Sequence, residues 1–312
     1  MNRLTENKII LVTRPTRIAE LSRRFSTRSQ AKFWISHLGQ DFSDYEHEDE
    51  HYTHAVREAE KILDGIGRVQ MIDRAFLPNF VFGPQDVVVV LGQDGLVANT
   101  VKYLNGQPVV GVNPDPARWD GQLLPFRVPD LKKIVPEVIK QARPTKTATM
   151  AMATLNTGEV MYAVNDIFIG PRSHTSARYA ITFGDHTENH SSSGVIVSTG
   201  VGSTGWLKSL LAGAVGIARS AAAAPKLTPV TMEFPWDANY LCFTVREPFP
   251  SKTTQASIVF GRVGPKEPLV LVSQMPENGV IFSDGIESDF LEFRSGTRAT
   301  ITIADKHGCL VV

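Results

Sequence analysis

The chain has 312 residues, 42% of them hydrophobic, which is enough for roughly two cores of ordinary domain size and too many for a disordered protein. Lys plus Arg and Asp plus Glu both number 32, so the formal charge is zero; a general electrostatic pull toward nucleic acid or an anionic membrane is excluded, and any phosphate binding must be local. The two cysteines, Cys242 and Cys309, lack CxxC spacing and read as isolated core thiols of a protein in a reducing cytoplasm.

The opening stretch, MNRLTENKIILVTRP, has only about five apolar residues before Arg14, short of a signal h-region. Lys8 to Val12 is predicted as the first strand, and Tyr52 to Gly67 as a helix because Val56, Ala59, Ile62, Leu63 and Ile66 fall on one face. Strands follow at Arg68 to Ile72 and at Val87 to Leu91, whose VVVVL run should be buried on both faces in the middle of a parallel sheet. A short helix from Leu96 to Leu104, a strand from Pro108 to Gly111 and a helix from Leu131 to Gln141 complete an α/β domain over residues 1–147. The segment ARPTKTAT reads as a linker.

The remainder, 148–312, is dense in short strands: Val160 to Val164, Asp166 to Ile169, Arg178 to Phe183, Gly194 to Ser198, Leu241 to Val245, Ser257 to Phe260, Leu269 to Ser273, Gly279 to Phe282, Phe290 to Phe293, Ala299 to Ile303 and Cys309 to Val312. Such texture predicts an antiparallel β domain, whose last strand could return to the N-terminal domain. One helix interrupts it, from Ser203 or Trp206 to about Ala223. Its stretch LLAGAVGIARSAAAAP contains Arg219 and stops at Pro225, so it reads as a buried or semi-buried helix and not as a membrane span.

Three junctions carry chemistry. Gly92-Gln93-Asp94-Gly95 follows the buried VVVVL strand and opens a helix, the place where an α/β sheet binds phosphates. Asp94 there could hold a metal, take a proton from an attacking hydroxyl, or serve only as a helix N-cap. Asn165-Asp166, between two strands, offers an amide and a carboxylate to sugar hydroxyls, or is a simple turn. The run from Gly194 to Trp206 is a strand, a loop rich in glycine and hydroxyls, and a helix. Its GxGxxG at Gly200, Gly202 and Gly205 lacks an acidic residue about 20 positions on, so it reads as a backbone cradle for an anion or ribose, or as an ordinary capped turn. No GxxxxGK[ST], GxSxG or HRD and DFG set is present. His47, His51 and His54, in HEDEHYTH, have a spacing that could bind a metal from one helical face, but the acidic, polar segment is expected to face solvent in a surface role.

Taken in order, GQDGL (Gly92 to Leu96), Asn165-Asp166 and SGVIVSTGVGSTGW (Ser193 to Trp206) resemble the GGDGT turn, Asn-Glu pair and GST-A-Y turn of the NAD kinase family. GVNPDP (Gly111 to Pro116), VNDIFIGPRSHTSARY (Val164 to Tyr179) and FTVREPF (Phe243 to Phe249) look most similar to its mitochondrial-type branch. The resemblance implies a Rossmann-like N-terminal α/β domain, a C-terminal β domain, and transfer of phosphate from ATP, with Mg²⁺, to the ribose 2′-hydroxyl of NAD or NADH. It implies Asp94 as the catalytic residue, Gly92, Gln93, Gly95, Gly202 and Ser203 around the ATP phosphates, and Asn165, Asp166, Thr204, Gly205 and Trp206 around the dinucleotide. A homo-oligomer, a dimer, is also implied. Departures from the family pattern are Gln93 for glycine, Leu96 for threonine, Asp166 for glutamate, Ser193 for aspartate and Trp206 for tyrosine. The rival readings are a dinucleotide sensor of the same fold that has lost transfer, and a kinase for a lipid or sugar hydroxyl.

Overall fold

The computed structural model describes residues 4–221 and 232–312. The chain forms two compact units: one runs to Lys146 and takes in Cys309–Val312, and the other is Thr147–Gly308.

In the first unit β1 (Lys8–Thr13) leads to three helices, α1 (Arg17–Phe25), α2 (Arg28–His37) and α3 (Ser43–Asp64). Then come β2 (Arg68–Asp73), β3 (Val87–Leu91), α4 (Asp94–Val101), β4 (Pro108–Asn113), β5 (Phe126–Arg127) and α5 (Leu131–Ile139). The strands lie parallel in the order β2-β1-β3-β4. β5 flanks the end of β4, and Cys309 and Leu310 pair parallel with Pro108 and Val109 at its start. β3 is buried at every position between two parallel neighbours, which is why its sequence is uninterrupted Val and Leu. On one face of the sheet Ile9, Leu11, Val89 and Val110 pack against Ala55, Ala59 and Leu63 of α3 and Leu131, Ile134 and Val138 of α5.

Helix α3 begins at Ser43, well before the expected Tyr52. Its inward stripe is Glu48, Tyr52, Ala55, Ala59 and Leu63. The stripe's first member is a glutamate, buried because Arg14 Nη2 reaches its Oε1 at 2.7 Å, so the apolar periodicity begins one turn after the buried stripe does. Helices α1 and α2 are absent from the sequence reading for a related reason. They start on Thr16 and Thr27, whose hydroxyls accept the N–H of Ala19 and Gln30, and bury only Ile18 in one and Ala31 and Ile35 in the other.

The second unit contains β6 (Thr145–Leu155), β7 (Val160–Ala163), β8 (Asp166–Pro171), β9 (Ala177–Phe183), β10 (His186–Ser192), β11 (Val195–Ser198) and α6 (Trp206–Ala221). It continues with β12 (Leu241–Val245), β13 (Phe260–Val263), β14 (Leu269–Ser273), β15 (Gly279–Ser283), β16 (Phe290–Glu292) and β17 (Arg298–Val311), the last belonging to it through Gly308. One antiparallel sheet runs β10-β9-β14-β17, with β6 joined to β17 and β7; the other runs β13-β12-β11-β8-β15-β16. Alternate residues of the two, among them Ile167, Ile169, Val195 and Phe243 from one and Tyr179, Ile181, Leu271 and Ile301 from the other, form a single core.

Several expectations are corrected here. The presumed linker is largely strand: β6 starts at Thr145, one residue after Pro144, and its β-branched alternation outweighs the proline signal. β10 was hidden because HTENHSS is polar and lies at a sheet edge. β13 starts at Phe260, where the expected strand ended, and the two closing strands are one, carried through the polar Asp305 and Lys306. Helix α6 is semi-buried and not buried: among its described residues only Leu207 is fully enclosed, Trp206, Leu210 and Leu211 are half-buried against core residues, and Ile217 is 71% exposed. Its expected end near Ala223 lies outside the described residues. No described helix is long and apolar enough to cross a membrane.

Candidate active site

In the first unit the site is built on the carboxyl end of β3. The Leu91 carbonyl accepts the Tyr52 hydroxyl at 2.8 Å, and that same oxygen of Tyr52 accepts the Arg14 N–H at 2.9 Å. Burial pushes the Tyr52 phenol up to about 12, so it stays a protonated donor at neutral pH. The Gly92 N–H donates to the Val112 carbonyl at 3.2 Å, which extends the pairing of β3 with β4 and removes this amide from any ligand. A Cβ on Gly92 would lie 2.7 Å from Leu96 Cδ2, and Leu96 itself is buried, so its side chain packs beneath the turn.

Gln93 is the N-cap of α4, with its carbonyl accepting the Leu96 N–H at 2.8 Å. Asp94 is therefore the first helical residue and not the cap. Its half-buried Oδ1 accepts the N–H of Leu123 at 2.6 Å. The Leu123 segment is pressed onto β4, where a Cβ on Gly111 would sit 1.9 Å from the Leu123 carbonyl oxygen. Around Gly95 a Cβ would meet nothing within 4 Å. The turn thus presents one fixed carboxylate and the amides of the helix's first turn.

In the second unit the site centres on Asp166, which is 8% exposed at the start of β8. Asp284, in the left-handed conformation at φ 53° just after β15, turns its carboxylate onto the N–H groups of Val164 at 3.1 Å and Asn165 at 2.7 Å. Its own N–H donates to the Asp166 carbonyl at 3.0 Å. Asp166 is pushed up to about 7, first by its burial and then by the charge of Asp284. Opposite it, across the β8–β11 pair, stands Ser198.

The loop after β11 closes on the same place. The Thr199 N–H donates to the Asn165 carbonyl at 2.9 Å, the Thr199 hydroxyl to the Val164 carbonyl, and the Gly202 N–H to Thr199 Oγ1 at 3.2 Å. Gly202 admits no side chain, since a Cβ would fall 2.1 Å from the Asn165 oxygen. Ser203 is buried and its hydroxyl donates to the Gly200 carbonyl at 2.7 Å. Gly202 and Ser203 accordingly give the loop its shape, while Thr204 is half-buried and Gly205 exposed. Trp206 lies parallel to Phe168, with centroids 5.9 Å apart and planes at 12°, and Arg246 sits 5.5 Å from its ring.

No protein-family model and no curated protein sequence matches the chain. Solved structures do. An NAD kinase from Archaeoglobus fulgidus in complex with ATP is similar with a TM-score of 0.53 at 16% identity, over 84% of this chain and 89% of that one. Yeast NADH kinase complexed with NADH is similar with a TM-score of 0.54 at 16% identity, over 99% of this chain and 84% of that one. This is the NAD kinase fold.

Within the NAD kinase fold, Gly92, Gln93, Asp94 and Gly95 form one group in the first unit. Asn165 and Asp166, at the start of β8, meet the loop that carries Gly202, Ser203, Thr204, Gly205 and Trp206 in the second. Sequence reasoning missed Tyr52, Leu123, Asp284 and Arg246. A signal for Asp284 was present, because Ser283-Asp284-Gly285 after the apolar β15 repeats the strand-then-Asp-Gly pattern of Asp94-Gly95. For Leu123, which acts through its backbone, there is no side-chain signal to read.

Proposed function

We propose that the protein is an NAD kinase, transferring the γ-phosphoryl group of ATP to the 2′-hydroxyl of the adenosine ribose of NAD or NADH. The observation that carries this reading is Asp94, a carboxylate held by the Leu123 amide at the first residue of a helix, directly after a fully buried parallel strand. A carboxylate so placed orients a hydroxyl and takes its proton as the new O–P bond forms and the bond to ADP breaks. The amides of the first turn of α4, with Gln93 and Gly95, suit phosphate oxygens. Asn165 and the acidic Asp166 suit the hydroxyls and amides of the acceptor nucleotide, Thr204, Gly205 and Trp206 frame it, and Gly202 and Ser203, expected at the ATP phosphates, instead hold that frame in shape because their polar groups are bonded within the loop.

Mg²⁺ would suit this chemistry, because an ion bound through nucleotide phosphates needs at most one protein carboxylate, and it would supply charge neutralisation on the transferred group. The fold neighbours support the reading, one having been solved with ATP and the other with NADH. Assignment to the mitochondrial-type branch rests on GVNPDP and the two other matching stretches alone, and a cytoplasmic dimer is the form we propose.

The test is an end-point assay of purified protein with ATP, Mg²⁺ and either NAD or NADH, read by an NADP-specific dehydrogenase. Product from the parent protein and none from Asp94→Asn supports the reading. No product with either acceptor, alongside measurable dinucleotide binding, transfers the weight to a sensor of the same fold.

A further inference from the structure

The segment His47-Glu48-Asp49-Glu50-His51 has the form H-E-x-x-H, a match that the reading of these histidines as a surface run overlooks, and it lies within helix α3. Two histidines four apart stand on one helical face, the arrangement that presents two imidazole nitrogens to one metal ion. The rings are in contact, with centroids 4.0 Å apart. A third donor comes from a different part of the first unit. Asp115, in the loop after β4, brings a carboxylate oxygen to the pair, and the three donor atoms all lie within 4.8 Å of one another. His54 is not part of this group, although it shares the helix.

We propose that His47, His51 and Asp115 form a binding site for a borderline divalent cation of the Zn²⁺ class, separate from the Mg²⁺ that accompanies ATP. Two imidazoles and one carboxylate are the donor set such ions prefer, whereas Mg²⁺ favours oxygen alone. A tetrahedral ion about 2.1 Å from each donor holds neighbouring donors roughly 3.4 Å apart, inside the 4.8 Å within which these three donors lie. The third ligand is held ready. Asp115 is flanked by Pro114 and Pro116, its N–H donates to Asn113 Oδ1 at 3.0 Å, and Arg118 of the same turn reaches Asp44 of α3 at 2.8 Å.

The site binds but does not hydrolyse. In metallopeptidases that use this motif the glutamate is the general base, but Glu48 is buried, with Oε1 on Arg14 at 2.7 Å and Oε2 accepting the Arg17 N–H at 3.1 Å. What the ion would do is pin the loop beginning at Asn113 onto α3. The same loop carries Leu123, whose amide holds Asp94.

The test needs neither nucleotide nor turnover, so its outcome is independent of the kinase reading. Metal-free protein is titrated with Zn²⁺ by calorimetry and with Co²⁺ by its visible absorption, with Mg²⁺ as a control. His47 and His51 are exposed, so His47→Ala and His51→Ala should fold as the parent does, which thermal melts can verify. The expected result is one Zn²⁺ per chain and a tetrahedral Co²⁺ spectrum. Binding should weaken about tenfold or more in each of His47→Ala, His51→Ala and Asp115→Asn and be unchanged in His54→Ala. Absence of stoichiometric Zn²⁺ binding, or binding that survives these three substitutions, overturns the proposal.

Discussion

The carboxylate of Asp94 and the backbone N–H of Leu123 meet at 2.6 Å, joining the start of α4 to the loop that follows β4. The contact lets the structural role of Asp94 be tested apart from its proposed catalytic one. In Asp94→Asn the amide oxygen still accepts the Leu123 N–H, so the loop should stay in place while the proton acceptor is lost. Turnover should fall ~100- to 10,000-fold at nearly parental stability. Asp94→Ala should also be inactive and in addition lose about 1 kcal/mol, read by urea unfolding, because the Leu123 amide loses its partner. Equal stability of the two variants would show that the contact contributes nothing.

Asp284 is the keystone of the second unit's site. Asp284→Ala leaves the Val164 and Asn165 amides without their acceptor and puts alanine at a positive φ, and should cost roughly 3 kcal/mol in denaturant unfolding. Asp284→Asn retains an acceptor oxygen and tolerates the left-handed backbone, and should cost about 1 kcal/mol. A loss in Asn as large as in Ala would mean that the charge, and not the acceptor, matters.

Asp166 makes stability depend on pH in the direction opposite to a salt-bridged aspartate. Its folded value of about 7 lies above the ordinary 3.8, so below that ordinary value it is protonated in both states and costs nothing. Between the two values the unfolded chain releases a proton that the folded chain keeps, and stability falls as pH rises; above about 7 the penalty is constant. From acidic to neutral pH the unfolding free energy should therefore fall less, or rise more, in Asp166→Asn than in the parent. An identical pH slope in both would remove Asp166 from the account.

Two glycines of the proposed site should respond differently to alanine. At Gly202 the added methyl collides with the Asn165 carbonyl, and since both partners are backbone the strand start must move, disturbing dinucleotide binding and costing a few kcal/mol. At Gly95 the methyl meets open space, so Gly95→Ala should fold normally and perturb only the ATP side. Calorimetric binding of each nucleotide to each variant gives the comparison.

Tyr52 supports the turn from beneath. Tyr52→Phe removes the hydroxyl that links the Leu91 carbonyl to the Arg14 amide and should cost about 2 kcal/mol in thermal or urea unfolding, with no loss of ring packing. A cost near zero would mean that water replaces the hydroxyl there.

Much of the fold is legible because burial is written into local order. The VVVVL run answers to neighbours on both faces and so is apolar throughout, while the helical spacing from Ala55 to Leu63 and the alternation of Leu269 to Ser273 answer to a neighbour on one face and so repeat along the chain. The Gly92 to Gly95, Asn165-Asp166 and Gly200 to Trp206 junctions are legible too, since a loop after a buried strand needs small or polar residues at fixed places. The start of α3 was not, because Glu48 is buried by Arg14 rather than by being apolar, and the polar helices α1 and α2 were missed with it.

By itself, then, the sequence determined the alternation of strands and helices, the antiparallel character of the second unit and the position of Asp94. Only the tertiary structure decided which partners those residues have: Leu123 for Asp94, Asp284 for the Asn165-Asp166 start of β8, and Asp115 for His47 and His51. The physical reason is that hydrophobic burial is averaged over a face and leaves a period in the sequence. A single hydrogen bond or ligand set between residues far apart in the chain depends on direction and distance, and leaves none.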